Sequence, residues 1–164
     1  MDDLRETVEK LVQRVEQLEG RKAVAPAESA DVFWALNGLK ERLDPPGGIL
    51  FAGMVQVAAG PVAWQITLPT DDLMERDWAP NAASLAALGH PVRLSLLHAI
   101  LGGATTVGEL SAGEGMGTTG QLYHHLGQLI AAGWLLSGGR GTYTIPVERV
   151  VPLLVIIGAS RKVA

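Results

Sequence analysis

Apolar residues recur at alternating spacings of four and three over the first twenty positions of the chain. This period keeps one apolar seam facing a partner helix. The seam consists of Leu4, Val8, Leu11, Val15 and Leu18. Valine at the a positions and leucine at the d positions favour a parallel two-stranded pairing, so we predict a coiled-coil dimerisation helix over residues 1–22 and a linker over residues 23–30. The alternative is that so short a repeat packs on the protein's own body.

Residues 31–80 change from a helical pattern to a strand-like one. Residues 31–43 have helical periodicity, with Asp31 as the expected N-cap, and the sequence DPPGG ends the helix. Two β-rich runs, 49–57 and 62–68, follow around a short turn and predict a β-hairpin. A short acidic helix completes the segment. We therefore predict an accessory segment that consists of a helix and a β-hairpin.

Helix boundary signals become clearer from residue 82 onward. A helix is predicted up to a break at Gly89, and a second helix begins at Pro91, where the missing amide proton costs nothing. Thr106 and Glu109 have the spacing of a capping box, in which each side chain bonds the other residue's backbone amide, so a third helix begins there. The glycine-rich stretch SAGEGMG ends that helix.

The stretch TTGQLYHHLGQLIAAGWL, residues 118–135, carries the most information about function. Thr118 and Gln121 repeat the capping-box spacing, so the helix is predicted to begin at Thr119, and Gly133 suits a left-handed C-terminal cap. One face of the helical wheel is apolar and is predicted to be buried. It consists of Leu122, Leu126, Leu129 and Ile130. The opposite face consists of Gly120, Gln121, His124, Gly127 and Gln128.

The polar face of this helix is unusual for a surface that meets only water. Such a surface more often carries glutamate and lysine. Here the face is nearly uncharged, and its two glycines cost helix stability by about 1 kcal/mol each relative to alanine. Glutamine can bond both groups of an adenine edge, and histidine can donate to phosphate or guanine, so we interpret the face as a DNA-reading surface. The alternative is an amphipathic helix that is buried in the protein's own core.

Residues 134–145 predict a second hairpin, with two β-rich runs around the tip Gly-Gly-Arg-Gly. A capped helix pair followed by a glycine-tipped hairpin with one arginine is the order of elements in a winged helix-turn-helix. In that unit the second helix enters the major groove and the hairpin lies along the DNA backbone. The predicted fold is therefore α+β and mainly α. It has a winged helix-turn-helix over residues 82–159, an N-terminal coiled-coil helix, and an accessory helix and β-hairpin segment over residues 31–80.

Four motifs across residues 84–145 resemble the ArsR-type (arsenic-repressor-like) bacterial winged-helix regulators. They are LAALGHPVRLSLLHAI, TVGEL, TTGQLYHHLGQLIAAGWL and GRGTYTI, in the family's order. The resemblance implies a cytoplasmic, homodimeric DNA-binding repressor or sensor whose effector site varies between members. By matching position, it implies that the DNA-facing residues of the recognition helix are Thr118, Thr119, Gln121, Tyr123 and His124. It makes Arg140 the wing contact. The accessory segment is not part of the family's minimal unit.

Charge is distributed unevenly along the chain. The net charge is −4, yet residues 81–164 carry five basic and three acidic side chains. The positive balance of this segment weakly favours anionic partners. The recognition helix departs from the family pattern because it has no lysine or arginine, so other residues would have to neutralise the DNA phosphates. The candidates are Arg93, Arg140, Arg149, Arg161 and Lys162.

Composition disfavours several classes of protein. The chain has no cysteine, which excludes disulfides, thiolate metal sites and thiol nucleophiles. It has no convincing catalytic set, so we expect neither an enzyme nor a cofactor. Adjacent side chains on a helix diverge by about 100°, so His124 and His125 are not expected to share a metal ion, and we predict a structural role for His125. The charged N-terminus and the short apolar run 150–159 predict a cytoplasmic protein without a membrane partner.

Aromatic residues concentrate in the accessory segment. They are Phe33, Trp34, Phe51, Trp64 and Trp78. Such residues are most often core, and the alternative is an apolar pocket for a flat, hydrophobic small-molecule effector. The main hypothesis is a homodimeric, sequence-specific transcriptional regulator that binds double-stranded DNA. Its two rivals are a small-molecule sensor in which ligand binding releases DNA, and a winged-helix protein-interaction module without DNA binding.

Overall fold

The computed structural model describes residues 7, 10, 11, 13, 14, 32–113, 115 and 117–162. The chain divides into two compact units, Met1–Gly47 and Gly48–Ala164, so the accessory segment predicted over 31–80 falls on both sides of the boundary. In the first unit the five described positions before residue 32 are helical and exposed. Leu11, a seam residue, is 59% exposed. The other four seam residues, the linker and Asp31 lie outside the described residues, so coiled-coil pairing stays a prediction.

Helix α1, Trp34–Lys40, is shorter than the predicted helix over 31–43. Phe33 stands at the N-cap position and its side chain makes no capping bond. The helix ends at Lys40, four residues short of the pair Pro45 and Pro46, beyond which an α-helix could not continue. Arg42 Nη1 donates to the carbonyl of Gly38 at 2.6 Å, which satisfies one of the carbonyl groups that a helix end leaves free.

The second unit begins with a β-hairpin. Strands β1, Gly48–Val57, and β2, Gly60–Pro69, pair antiparallel around the turn at Ala58 and Ala59, which confirms the predicted hairpin. Burial alternates along β1 because successive side chains of a strand point to opposite faces. The inner face packs on the last helix of the chain, while the outer face exposes residues such as Ala52.

Short helices make up most of the rest of the second unit. They are α2 (Thr70–Met74), a 3-10 turn (Ala79–Asn81), α3 (Ala82–Leu88), α4 (Pro91–Leu101), α5 (Val107–Ser111) and α6 (Thr119–Ala131). A small hairpin of β3 (Leu136–Ser137) and β4 (Tyr143–Thr144) follows, with a 3-10 turn (Gly139–Gly141) at its tip, and then helix α7 (Val147–Ala159). Helices packed with antiparallel hairpins make the fold α+β, as predicted.

The predicted starts of α4 and α5 are confirmed. α4 begins at Pro91, and His90 caps it because its Nδ1 accepts a hydrogen bond from the amide of Val92 at 3.2 Å. α5 begins with the capping box of Thr106 and Glu109, in which both reciprocal bonds form. These caps satisfy amide groups that the first turn of a helix leaves without intrahelical partners.

The main core lies where α3, α4, α5 and α6 meet. Its most deeply buried side chains are leucines, and Trp134 joins them at 2% exposure. These leucines are Leu96, Leu97, Leu110, Leu122, Leu126, Leu129 and Leu135. The indole nitrogen of Trp134 donates to the carbonyl of Ser84 at 3.0 Å, so its burial leaves no unsatisfied donor.

A second buried cluster holds the β1–β2 hairpin against α7. Val62 from the hairpin meets Val150 and Val151 from the helix. Gly53 on β1 permits this contact, since an added Cβ would lie 2.8 Å from Cγ1 of Val151. Leu153, two residues further along α7, belongs to the main core. Helix α7 therefore packs on both the hairpin and the helical part of the unit.

None of the helices in the described ranges is by itself long and apolar enough to cross a membrane. The segments Ala79–Leu88 and Pro91–Leu101 meet those criteria only when they are counted together across a 75° bend. Their buried side chains, including Leu88 and Leu96, belong to the main core.

Candidate nucleic-acid interface

Helix α6 turns its polar face to solvent. Its buried seam consists of Leu122, Leu126 and Leu129, which pack in the main core. Ile130, which was predicted on the buried face, is 36% exposed, because a seam of residues at i, i+4 and i+7 leaves it at the edge. The five residues of the polar face are all exposed: Gly120, Gln121, His124, Gly127 and Gln128. The polar face is therefore not packed in the protein's own core, while the apolar face is.

The residues predicted to face DNA lie together on the first two turns of α6 and at its cap. All of them are exposed: Thr118, Thr119, Gln121, Tyr123 and His124. Tyr123 lies one turn from Thr119 and from Gly127, so it borders the polar face on the side away from Gln121. The first two turns thus present hydroxyl, amide, imidazole and phenol groups without a formal charge among them.

The N-terminus of α6 is fixed by the predicted capping box. The hydroxyl of Thr118 accepts from the amide of Gln121, and Gln121 Oε1 accepts from the amide of Thr118 at 2.8 Å and from its hydroxyl at 3.3 Å. Gly117 has φ of 74°, and a Cβ there would collide with Gln121 Oε1. Because both lone pairs of Oε1 are engaged, Gln121 has only its Nε2 hydrogens free for a partner.

A chain of hydrogen bonds links the polar face to the neighbouring helices. Arg93 Nη1 donates to Gln128 Oε1, and Gln128 Nε2 contacts His124 Nε2 at 2.9 Å. Since the amide nitrogen of Gln128 can only donate, His124 Nε2 is the acceptor. With Nε2 as acceptor, the ring proton is on Nδ1, which has no protein partner among the described residues.

Arg93 links three helices through its guanidinium group. Besides Gln128 on α6, its guanidinium donates to the carbonyls of Ala86 at 2.8 Å and of Ala87, both at the end of α3. These donations use three of the five guanidinium N–H groups, so two could still reach a phosphate, and the predicted phosphate role of Arg93 stays a prediction. No local spacing rule relates Arg93 to Gln128, which is 35 residues away, so sequence reasoning missed the connection.

His125 lies behind the polar face. Its Nδ1 is buried without a hydrogen-bond partner, and its ring centre is 4.6 Å from that of His90 and 5.8 Å from that of His124. Burial lowers the pKa of His125, and the nearby His90, Arg93 and His124 lower it further. The described residues include no group of three or more side chains that could hold a metal ion.

The tip of the β3–β4 hairpin displays one arginine. Arg140 has φ of 62°, a left-handed conformation that is uncommon for residues other than glycine, and its side chain is exposed. Gly139 and Gly141 flank it, and the amide of Gly138 closes the tip by donating to the carbonyl of Thr142 at 2.8 Å. Unusual backbone conformations of this kind cost energy and tend to occur at functional sites.

The β3–β4 hairpin is joined to the start of α5. The amide of Tyr143 donates to the carbonyl of Thr105 at 2.8 Å, and Thr106 forms an isolated antiparallel bridge with Thr142. Glu109 Oε2 accepts from the amides of Thr106 and Thr105, and these bonds lower the pKa of its carboxyl group. The hairpin and the helix pair are therefore linked by backbone bonds.

The other predicted phosphate contacts lie around α7. The guanidinium carbon of Arg149 stands 5.1 Å from the ring centre of Trp134, so a cation–π contact holds it beside the end of α6. Arg161 and Lys162 are exposed beyond the end of α7. The exposed cations in this half of the chain are Arg140, Arg149, Arg161 and Lys162, and Arg93 is half-buried.

The aromatic residues of the predicted pocket are mostly exposed. Trp34 is 70%, Trp78 61%, Phe33 54% and Trp64 36% exposed, whereas Phe51 packs partly buried in the second cluster. The interpretation of these residues as plain core is therefore wrong for all but Phe51. Phe33 and Trp34 belong to the first unit and the other three to the second. A groove of about 540 Å³ between α4 and α7 is lined by none of the five.

Comparison with known proteins gave no match: no protein-family model, curated protein or solved structure corresponds to this chain.

Proposed function

We propose that this protein binds double-stranded DNA in a sequence-specific manner and acts as a homodimeric transcriptional repressor. The observation that carries the proposal is the exposed, uncharged polar face of α6, which stands on a buried leucine seam and begins with a satisfied cap. In this proposal α5 and α6 form a helix-turn-helix and the β3–β4 hairpin is its wing. Helix α6 enters the major groove, and Arg140 contacts the DNA backbone.

The free donors of the polar face define what it would contact. Gln121 Nε2 and His124 Nδ1 have no protein partners among the described residues, while Gln121 Oε1 and His124 Nε2 are engaged inside the protein. Guanine O6 and N7 are acceptors on the major-groove edge. We therefore place Gln121 and His124 toward base edges as donors.

A charge-matched pair of variants tests this assignment. Duplexes are first enriched from a random library at two salt concentrations, and affinity is then measured by fluorescence anisotropy. Gln121→Glu keeps an acceptor for the amide of Thr118, and hence the capping box, but replaces the outward donors by a negative charge. We expect its affinity to fall by about a hundredfold, because like charges brought together at an interface cost several kcal/mol.

The control is Gln65→Glu, which adds the same charge at an exposed position on the outer face of β2. We expect it to change the affinity by less than about threefold, since exposed charges far from a contact are screened by salt. An equal loss in both variants, or no loss in either, would contradict the proposed reading face.

The proposed wing is tested through the salt dependence of binding. Arg140→Ala is expected to weaken all duplexes about equally and to reduce the salt slope by about one, because one phosphate contact is lost. Arg76→Ala, which removes an exposed arginine between α2 and α3, is expected to leave the slope unchanged. If no duplex binds in a salt-sensitive way, the protein-interaction module is favoured instead.

Dimerisation is proposed through the N-terminal heptads. Leu11 is helical and exposed, as an unpaired seam residue would be in a single chain. Leu11→Asp should convert a dimer to a monomer in sedimentation velocity, because it places a charge in an apolar seam. Gln13→Asp, with the same added charge outside the seam, should leave the dimer intact.

A further inference from the structure

A cavity of about 280 Å³ lies inside the second unit, between the two hairpins. Its walls come from four elements: the turn of the β1–β2 hairpin, the end of α4, strand β4 with the residue after it, and the start of α7. Ala59, Gly103, Thr144 and Val147 mark these four walls. The cavity is more enclosed than the groove between α4 and α7, because walls surround it on several sides.

The lining is largely apolar and includes a few hydroxyl groups. Val62, Ile100 and Val150 contribute apolar surface, whereas Tyr143 and Thr144 contribute hydroxyls. Tyr143 is only 7% exposed as a residue, its hydroxyl oxygen still reaches solvent, and in the part of the chain that the structure describes this hydroxyl has no protein partner. The hydroxyl can therefore bond a solvent molecule or a ligand, both as donor and as acceptor.

We propose that this cavity is a binding site for a compact, largely apolar molecule of the phenol class, with one ring and one hydroxyl group. Its volume falls just below the range of about 300–1,000 Å³ that is usual for drug-sized ligands, which suits a single ring. Apolar walls favour the ring, and the unpartnered hydroxyl of Tyr143 or Thr144 bonds the ligand's hydroxyl. Tyr143 and Thr144 are not among the five aromatic residues of the pocket predicted from sequence, so this is a different site.

The cavity lies against the β3–β4 hairpin, so a bound ligand would touch that hairpin. The amide of Ala58 donates to the carbonyl of Leu101 at 3.1 Å, which fixes the opposite wall to the end of α4. Thr144 lies on the strand that returns from the tip with Arg140. A ligand in the cavity therefore contacts the β3–β4 hairpin directly. Its proposed role is to favour one position of this hairpin over others, and so to change how Arg140 is presented. This regulatory step rests on the proposed function.

Binding is tested by amide NMR titration of the full chain with p-cresol, and with toluene as the same ring without a hydroxyl. We expect saturable shifts from p-cresol at the amides of Ala59, Gly103 and Thr144. The affinity for toluene should be lower by about tenfold, since toluene cannot make the hydrogen bond. Ala59→Leu enlarges a side chain at the cavity wall and should weaken p-cresol binding by about tenfold or more. Ala52→Leu, on the outer face of the same hairpin, should bind normally.

The thermal midpoint of unfolding shows whether each variant is folded. Tyr143→Phe gives a second test of the site, because it should remove the preference for p-cresol over toluene. Three results would overturn the site: no saturable shifts at the cavity amides, shifts confined to the groove between α4 and α7, or unchanged binding by folded Ala59→Leu.

The regulatory step has its own measurement. Saturating p-cresol should change the affinity for the enriched duplex by about tenfold in the wild type and in Ala52→Leu but not in Ala59→Leu. NMR binding without this change would overturn the regulatory step and leave the ligand site standing. Absence of any duplex affinity would overturn the proposed function and the regulatory step together, while the titration would still decide the site.

Discussion

Gly127 lies in the middle of α6, on its polar face, and no heavy atom lies within 4 Å of where its Cβ would be. Its backbone is helical, so alanine fits without strain. Because glycine costs about 1 kcal/mol relative to alanine in a helix interior, Gly127→Ala is expected to raise the free energy of unfolding by about that amount. The isolated protein would thus be more stable with alanine. On the proposed function, the close approach of DNA explains why this position has glycine.

The same variant is expected to weaken DNA binding. A methyl group forced into a tightly packed contact costs about 1–3 kcal/mol, and 1.4 kcal/mol corresponds to tenfold in affinity, so we expect a loss of about tenfold or more. Urea denaturation measures the first effect, and fluorescence anisotropy with the enriched duplex measures the second. The two effects have opposite signs, which separates a lost contact from a damaged fold.

Gly158→Ala is the matched control. Gly158 also lies in a helix, near the end of α7, and an added Cβ there also meets no heavy atom within 4 Å. The change should stabilise the protein slightly and leave the affinity for DNA unchanged. If Gly127→Ala is more stable than the wild type and binds the duplex equally well, then no partner approaches this face closely and the reasoning is refuted.

Three further variants test the packing of the second unit. Arg93→Met keeps the apolar stem but removes the donors to the end of α3, so the free energy of unfolding in urea should fall by about 1–3 kcal/mol; an unchanged value would show that these bonds are dispensable. Burial lowers the pKa of His125 below its usual 6.5, so as the pH falls below that value the unfolded chain binds more protons than the folded one and stability is lost. Urea denaturation between about pH 7.5 and about pH 5 should therefore show a steeper loss for the wild type than for His125→Gln, and parallel curves would contradict the assignment. Gly53→Ala should cost about 1–3 kcal/mol through its collision with Val151, and a double-mutant cycle with Val151→Ala should recover part of that cost; simple additivity would contradict the contact.

The helix starts and the hairpins could be predicted because their signals are local. A capping box needs only two residues three positions apart, and both predicted boxes form, at Thr106 and at Thr118. The first hairpin was predicted because two β-rich runs flank a short turn, and its strands extend slightly beyond those runs. Apolar spacing also predicted the Leu122, Leu126 and Leu129 seam of α6, since periodicity alone decides which residues share a face.

The features that sequence reasoning missed depend on long-range packing. The apolar character of Ile130 suggested burial, but the width of the contact between α6 and the core decides its exposure. The bonds from Arg93 to the end of α3 and to Gln128 need the helices to be placed first. The exposure of Trp34 and the cavity between the hairpins are likewise results of tertiary structure, which composition does not encode.

The hydrogen bonds inside the protein also decide what the polar face offers to a partner. Gln121 Oε1 is held by the cap and Gln128 Oε1 by Arg93, so acceptor atoms are used internally while Gln121 Nε2 and His124 Nδ1 stay free to donate. Bidentate reading of adenine needs an acceptor as well as a donor from the glutamine. Gln121 would have to give up its cap to supply that acceptor, at a cost of about 1 kcal/mol. On the proposed function, the cap that starts α6 therefore biases Gln121 toward guanine, whose major-groove edge presents two acceptors.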